Sequence, residues 1–351
     1  MTYKNKQRDK VVDYIKELIT DKKINTGEKL PSETSITQLL GVSRVTVRRA
    51  LDELEKEGAI VKLHNRGAFA KNTNSSNSSQ LIPLIMQNAT ENSRFLEIYT
   101  GVQDYLSKYN IRPLLSIAGY DSDKEKELIL EHFHNGYRYI LLLSSFSDKN
   151  IPFYLSMREK GMHFVFIDKK PFEMPCDSVT SNNFDGAYQA TNYLISQGHK
   201  RIAIISGQPF HMATSNSDRL SGYKQAMLQN GIYDPSLVFE FENAKAVKIA
   251  NVLSKETCDI TALFVLSDII AIDIMNYLQT EEIPMSVFGF DNLPESRICS
   301  PKLSTIEQPF YDLGYYSARL LHQRILDNNK KFTNYTLPIK LIIRDSVYPN
   351  R

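Results

Sequence analysis

The chain has 351 residues, enough for two or three domains with full hydrophobic cores. Its net charge of +2 is unevenly divided, since residues 1–80 hold 15 Lys and Arg against 10 Asp and Glu, whereas the remainder holds 27 against 30. Three widely spaced cysteines with no CxxC pair argue against a disulfide scaffold or structural zinc, and the absence of an apolar window of ~18 residues argues against a membrane span, so we expect a cytoplasmic protein.

The first 60 residues carry three helical patterns. Apolar residues at helical spacing over 11–19 predict an amphipathic first helix. A second, short helix with Ile36, Leu39 and Leu40 ends at Gly41, because glycine adopts the left-handed cap conformation without strain. Ser43 can cap a third helix. The apolar residues predicted for its inner face are Val45, Val47, Ala50, Leu51 and Leu54.

Basic and small polar residues gather at the N-terminal end of the third helix, where a helix inserted into a DNA groove meets base edges and phosphates. They are Arg44, Thr46, Arg48 and Arg49. Two apolar runs then flank a turn at residues 64–67, which predicts a β-hairpin and hence a winged helix-turn-helix. Residues 72–79 contain only Asn, Thr and Ser, which predicts a flexible linker.

From Leu81 onward, short apolar runs alternate with helical patterns, which is typical of parallel sheets with crossover helices. The strand-like runs lie at 81–86, 113–117, 139–143, 164–167, 201–205, 262–265 and 285–290. Their number favours two α/β sheets facing a cleft. The predicted domains are a DNA-binding domain at 1–71, a linker at 72–80, and a ligand-binding and dimerisation domain at 81–351.

Polar residues follow several of these runs directly, at the ends of parallel strands where ligands usually bind. They are Asp168, Ser267, Asp268, Asp291 and Asn292, and Arg219 and Gln308 lie near further runs. Carboxylates, an amide and a guanidinium together suit the hydroxyl groups of a sugar. The candidates for stacking on a sugar face are Phe95, Phe210, Phe241 and Phe310. Alternatively, each strand-end Asp simply caps a helix or turn.

Other kinds of site receive little support. No GxxxxGK[ST] or GxGxxG phosphate loop and no GxSxG elbow occurs, and no nucleophile or paired acid has a catalytic spacing. His132 and His134 fall on opposite sides of a helix, so a metal site is not expected. We therefore predict no catalytic residues, no metal ligands and no cofactor.

Residues 5–71 resemble the GntR-type winged helix-turn-helix. The matching segments are 27–33, 40–51, 58–60 and 66–69. The resemblance implies contacts of the recognition helix with the major groove and of the wing tip with the minor groove. The full predicted set is Ser32, Glu33, Ser43, Arg44, Thr46, Arg48, Arg49, Arg66 and Gly67. Thr34 stands where this family usually has arginine, and His64-Asn65 replaces the usual wing start, so one DNA contact is expected to differ.

Residues 81–346 resemble the sensor domain of LacI/GalR regulators, a two-lobed fold of the periplasmic-binding-protein type I. The matching segments are 167–168, 178–187, 198–203, 218–223, 267–268, 287–291, 304–309 and 337–346. The ligand residues implied are Arg94, Phe95, Asp168, Arg219, Ser267, Asp291, Gln308 and Phe310. The hinge helix of LacI proteins is replaced by the Ser/Asn linker. This combination of modules resembles that of arabinose-type repressors.

The function predicted is that of a homodimeric repressor of sugar-utilisation genes, which binds double-stranded operator DNA and is released by a small sugar. Neutral sugars, L-arabinose among them, are favoured because the sequence offers few cationic groups for a phosphate. Three alternative functions would use some of the same domains and residues: a sugar-responsive activator, a sugar-binding protein without gene control, and a hydrolase acting through the Asp cluster.

Overall fold

The computed structural model describes residues 3–21, 23–24, 28–63, 67–70, 80–87, 93–144, 148–241 and 259–350. The chain divides into two compact units, Met1–Ser79 and Gln80–Arg351. None of the helices in the described ranges is both long and apolar enough to span a bilayer.

The first unit has the predicted winged helix-turn-helix arrangement. Its elements are α1 (Tyr3–Thr20), α2 (Glu33–Leu40), α3 (Arg44–Lys56), β1 (Ile60–Leu63) and β2 (Gly67–Ala70). The two strands pair antiparallel, with Ile60 opposite Ala70. The turn at 64–66 lies outside the described residues. The helices bury a shared apolar core that includes Val11, Ile15, Ile36, Val47, Leu51 and Leu54.

The predicted caps fix the turn between α2 and α3. Ser43 Oγ accepts a hydrogen bond from the backbone N–H of Thr46 at 3.2 Å, and Gly41 ends α2 with φ of 65°. The prediction of an inward Val45 is wrong, because this side chain is 60% exposed. At 100° per residue, Val45 points nearly opposite to Val47, whose side chain is buried.

The second unit contains two parallel sheets, as predicted. Its strands are β3 (Gln80–Met86), β4 (Ile111–Ile117), β5 (Tyr139–Leu142), β6 (His163–Ile167), β7 (Asp177–Ser181), β8 (Ile202–Ser206), β9 (Val238–Glu240), β10 (Ala262–Val265), β11 (Ser286–Phe288), β12 (Thr305–Glu307), β13 (Asn334–Leu337) and β14 (Lys340–Ile342). The first lobe holds the sheet β13-β7-β6-β5-β3-β4, and the second holds β11-β10-β8-β9. Strands β12 and β14 form an antiparallel pair, and Ser304 bridges to Phe288 at the end of β11.

Helices cover both sheets. They are α4 (Ser93–Ser107), α5 (Ser122–His134), α6 (Ile151–Glu159), α7 (Asn183–Ser196), α8 (Thr214–Gln229), α9 (Asp268–Thr280), α10 (Glu295–Ile298) and α11 (Phe310–Leu326). In the first lobe α4 packs on α11, and in the second lobe α7 packs on α8. Apolar residues of both sheets face these helices and form the cores of the two lobes.

The chain passes between the lobes at three places in its described part. It leaves the first sheet after β7 through Asn182, returns from β12 to α11 through residues 308–309, and crosses again from β13 to β14 through residues 338–339. Short crossings of this kind allow two lobes to move as bodies around a cleft. The cleft is therefore the place in this unit where ligand binding and lobe movement can be linked.

Candidate functional site

A cavity of about 260 Å³ lies at the carboxyl ends of strands from both sheets. Gln87 follows β3, Asp168 follows β6, Ser206 ends β8, and Ser267 comes two residues after β10. Ligands of open parallel sheets bind at this edge, and small-molecule sites begin at ~300 Å³. We call this space the cleft cavity.

The structure brings most of the predicted ligand residues together at the cleft cavity. The six that line it are Arg94, Asp168, Arg219, Ser267, Asp291 and Gln308. Phe95 and Phe310 do not reach it, because both side chains are buried in the core of the first lobe, 1% and 4% exposed. Phe210 and Phe241 are likewise buried in the cores of the second lobe. Stacking on a sugar face by these four aromatic rings is thus excluded in this conformation.

Asp291 is a buried carboxylate held between the two lobes. Gln308 donates from Nε2 to Asp291 Oδ1 at 2.6 Å, and Arg94 Nη1 lies 3.8 Å from Asp291 Oδ2. Burial raises the pKa of Asp291, while the nearby Arg219 and Arg94 guanidinium groups act in the opposite direction. Its backbone has φ of 128°, and the next residue, Asn292, has φ of 55°.

Asp268 anchors the loop that carries Asp291 and Asn292, although Asp268 itself does not line the cleft cavity. Its backbone N–H donates to the carbonyl of Phe290, and its side chain accepts from the N–H of Leu293 at 2.8 Å and from the Thr305 hydroxyl at 2.6 Å. The loop that carries Asp291 is therefore anchored on both sides. Burial, with the neighbouring Asp291 carboxylate, raises the pKa of Asp268 to about 7.

Arg219 is fixed in the wall of the cavity by the second lobe and the crossing segment. Nε donates to Asn183 Oδ1 at 2.8 Å, and Nη1 donates to the carbonyl of Leu266 at 2.9 Å. The guanidinium carbon lies 3.7 Å from the centre of the Phe290 ring. Burial lowers the pKa of Arg219. A buried, oriented guanidinium of this kind is suited to donating hydrogen bonds to a ligand in a fixed direction.

Three side-chain atoms of cavity residues are buried without a hydrogen-bond partner among the described residues. They are the acceptors Asp168 Oδ1 and Gln308 Oε1, and the donor Gln87 Nε2. Leaving such an atom unpaired costs about 1–3 kcal/mol. The cavity therefore presents both kinds of hydrogen-bonding group to a ligand.

Sequence reasoning missed several lining residues, among them Gln87, Lys169, Ser215 and Asn216. Gln87 directly follows β3, which is the signal that identified Asp168 after β6. Ser215 and Asn216 lie in the first turn of α8, and this position becomes visible only once the start of the helix is known.

On the first unit, seven of the nine predicted DNA-contacting residues lie at the N-caps or in the first two turns of α2 and α3. Arg48 Nε forms an ion pair with Glu33 Oε2 at 2.9 Å, and its side chain is 67% exposed. Arg44 Nη2 donates to Thr34 Oγ1 at 3.2 Å, so Thr34 contacts this arginine directly. Ser32, Ser43 and Arg49 are also exposed, and Thr46 is half-buried. Gly67 opens β2, whereas Arg66 lies outside the described residues.

A winged helix-turn-helix and a two-lobed sheet unit with a polar cleft define the class of ligand-responsive DNA-binding regulators. Residues 7–70 match the bacterial regulatory proteins of the gntR family, and residues 191–347 match the periplasmic binding protein-like domain. The chain thus joins a gntR-family DNA-binding domain to a periplasmic binding protein-like domain. The curated relatives that match it include proteins named as transcriptional or operon repressors.

Two relatives and one solved structure illustrate the likeness. The ribose operon repressor of Haemophilus influenzae is 29% identical over 75% of this chain and 80% of its own length. The arabinose metabolism transcriptional repressor of Geobacillus stearothermophilus is 26% identical over 91% of each chain. A LacI family transcriptional regulator from Enterococcus faecium, solved with bound ribose, is 26% identical with a TM-score of 0.65, covering 78% of this chain and 100% of its own.

Proposed function

We propose that the chain is a homodimeric repressor of sugar-utilisation genes whose effector is a small sugar bound in the cleft cavity. The observation that carries this proposal is the set of unpaired, buried donors and acceptors in that cavity. Relatives named for ribose and arabinose, and a structural neighbour with bound ribose, support a sugar as effector. L-Arabinose and ribose are accordingly the first ligands to test.

The chemistry of the lining suits hydroxyl groups. A hydroxyl can donate to Asp168 Oδ1 or Gln308 Oε1 and at the same time accept from Gln87 Nε2 or Arg219. A bound sugar would therefore satisfy atoms that are unpaired in the free cavity. Because Asp168 belongs to the first lobe and Arg219 to the second, the same ligand would stabilise the lobes in one relative position.

The response of DNA binding follows from this bridging. Two copies of the chain would place two winged helices on half-sites about one helical turn, ~10 bp, apart or a multiple of it. A ligand that favours one arrangement of the lobes would change the distance between the two winged helix-turn-helix domains of the dimer. We expect a mass in solution of twice the 40.2 kDa of one chain.

The test is a thermal-shift titration of the full chain with ribose, L-arabinose and related sugars. A sugar at about 100 times its dissociation constant adds ~2.7 kcal/mol of stability. Asp168→Asn keeps the shape of the side chain but replaces an acceptor oxygen, so we expect sugar affinity to fall about 10- to 100-fold with operator affinity unchanged. Unchanged sugar affinity in this variant, or no response to any sugar, would contradict the proposal.

A further inference from the structure

We propose that the effector carries one anionic group besides its hydroxyls, and that Lys169 binds that group. This inference rests on the proposed function of the cleft cavity and narrows its ligand class to acidic sugars, either phosphorylated or carboxylated. The shared chemistry is a polyol with a single negatively charged end.

The charges of the lining do not balance. Among the described residues, the cationic side chains of the cavity are Arg94, Lys169 and Arg219, and the anionic ones are Asp168 and Asp291. Two of the three cations have protein partners. Arg94 lies 3.8 Å from the Asp291 carboxylate, and Arg219 donates to two oxygen atoms and lies against an aromatic ring.

Lys169 is the cation that remains. Its side chain is half-buried, and its ammonium group forms no hydrogen bond or ion pair in the part of the chain that the structure describes, although the Asp168 and Asp291 carboxylates lie near it. Burial is the main cause that lowers its pKa to about 8. The carboxylates of Asp168 and Asp291 act on this pKa in the opposite direction, but neither is bonded to the ammonium group, so a ligand anion would supply a partner that the described residues do not.

The segment that carries Lys169 is held against the start of α8. The N–H of Lys170 donates to Thr214 Oγ1 at 3.3 Å, and the Thr214 hydroxyl donates to the Lys170 carbonyl at 3.2 Å, which holds this segment against the start of α8. Ser215 and Asn216, from the first turn of α8, line the same cavity.

Helix α8 has no acidic residue in its first turn, and Ala213 at its N-cap provides no side-chain cap. The N–H groups and the positive end of the dipole of such a helix favour an anion. A half-buried ammonium group without a bonded partner among the described residues and an uncapped helix start therefore line the same cavity. The sequence suggested a neutral sugar because Lys169 was not recognised as a third cation.

The experiment compares matched ligands by calorimetry on the full chain. The pairs are ribose with ribose 5-phosphate, glucose with glucose 6-phosphate, and glucose with glucuronate, so that the phosphate and carboxylate arms are separate. We expect the acidic member of at least one pair to bind about 10- to 100-fold tighter than its neutral sugar. We expect Lys169→Met to abolish that preference, while the matched control Lys170→Met, which keeps the backbone bonds to Thr214, retains it.

Two results would overturn the inference while leaving the proposed function intact. One is neutral sugars binding as tightly as their acidic partners, and the other is a preference for the acidic sugar that survives in Lys169→Met. If no sugar of either kind binds, the proposed function fails and this inference fails with it.

Discussion

Asp291 and Asn292 are consecutive non-glycine residues with positive φ, a conformation that costs of order 1–3 kcal/mol for each residue. The strain persists because Asp268 anchors the loop through Phe290 and Leu293 on its two sides. The position of the Asp291 carboxylate, which lines the cavity, thus depends on a second carboxylate that lies outside it. This makes Asp268 a positioning residue for the site.

The raised pKa of Asp268 makes stability depend on pH. From the ordinary value of 3.8 up to about 7, the folded chain keeps a proton that the unfolded chain releases, so stability falls as pH rises through this range. Asp268→Asn removes this titration. We expect the decrease in Tm between pH 5 and pH 7.5 to be smaller in the variant than in the wild type. An equal decrease would show that Asp268 does not take up the proton.

How far the sequence could predict the site depended on the type of residue. Asp168 and Gln308 were found because a polar residue after a strand must lie at the sheet edge. Phe95 and Phe310 were predicted to line the cavity, but they lie in the core of the first lobe. Whether an aromatic side chain on a helix faces a cleft or a core depends on how that helix packs against its neighbours, which the local sequence does not show. Lys169 was missed because Asp168 was already the polar residue expected directly after the run 164–167, and the residue beyond it was not considered.

Among the helices, the pair α4 and α11 packs too closely for any side chain at Gly101. A Cβ at this position would lie 2.0 Å from the Tyr311 carbonyl oxygen, and one at Gly314 would lie 2.0 Å from that of Ile98. Backbone therefore meets backbone at this crossing. In the second lobe Gly222 of α8 makes the same kind of approach to Phe184 of α7.

Gly101→Ala tests this crossing. Alanine favours an isolated helix by about 1 kcal/mol over glycine, but forcing α4 and α11 apart costs about 1–3 kcal/mol or more, so we expect lower stability. Thr100→Ala, on the exposed side of α4, should change stability by no more than ~0.5 kcal/mol. Urea unfolding measures both variants. A Gly101→Ala protein as stable as this control would refute the close packing.

The recognition helix α3 carries its arginines already oriented by α2. Glu33 holds Arg48 and Thr34 holds Arg44. If Arg48 reads a base edge, Arg48→Ala should remove about 1–3 kcal/mol of discrimination between operator and altered operator. Fluorescence anisotropy on both DNAs measures this difference. An equal loss on both sequences would instead identify Arg48 as a phosphate contact.

At the level of elements, the sequence predicted the apolar strands and the helix-turn-helix. The predicted strands did not include β9, β12 and β14 or, in the first sheet, β7 and β13. These two strands pair with each other at one side of the first sheet, with residues 177–181 and 334–337 rich in Ser, Thr and Asn. Their strand structure comes from pairing with distant segments, which no local pattern reports. The crossings between lobes were invisible for the same reason.

In the whole molecule, a DNA-binding unit and a ligand-binding unit are joined in one chain, and linkage requires that effector and operator influence each other by the same factor. In the proposed function, the effector acts on the two lobes of the second unit, and the operator acts on the winged helix-turn-helix. The regulator thus needs two arrangements of its sensor lobes that the two ligands favour unequally. The three crossings in the described part of the chain allow the lobes to move in this way.

The most direct measurement is the affinity of the full chain for an operator selected from random DNA, with and without a saturating concentration of the sugar that raises its Tm most. The account predicts that the sugar weakens operator binding by about 5- to 150-fold. It also predicts that Asp168→Asn needs about 10- to 100-fold more sugar than the wild type for the same loss of operator affinity. Operator affinity that does not change when the cleft cavity is occupied would contradict the assignment of this chain as a sugar-released repressor.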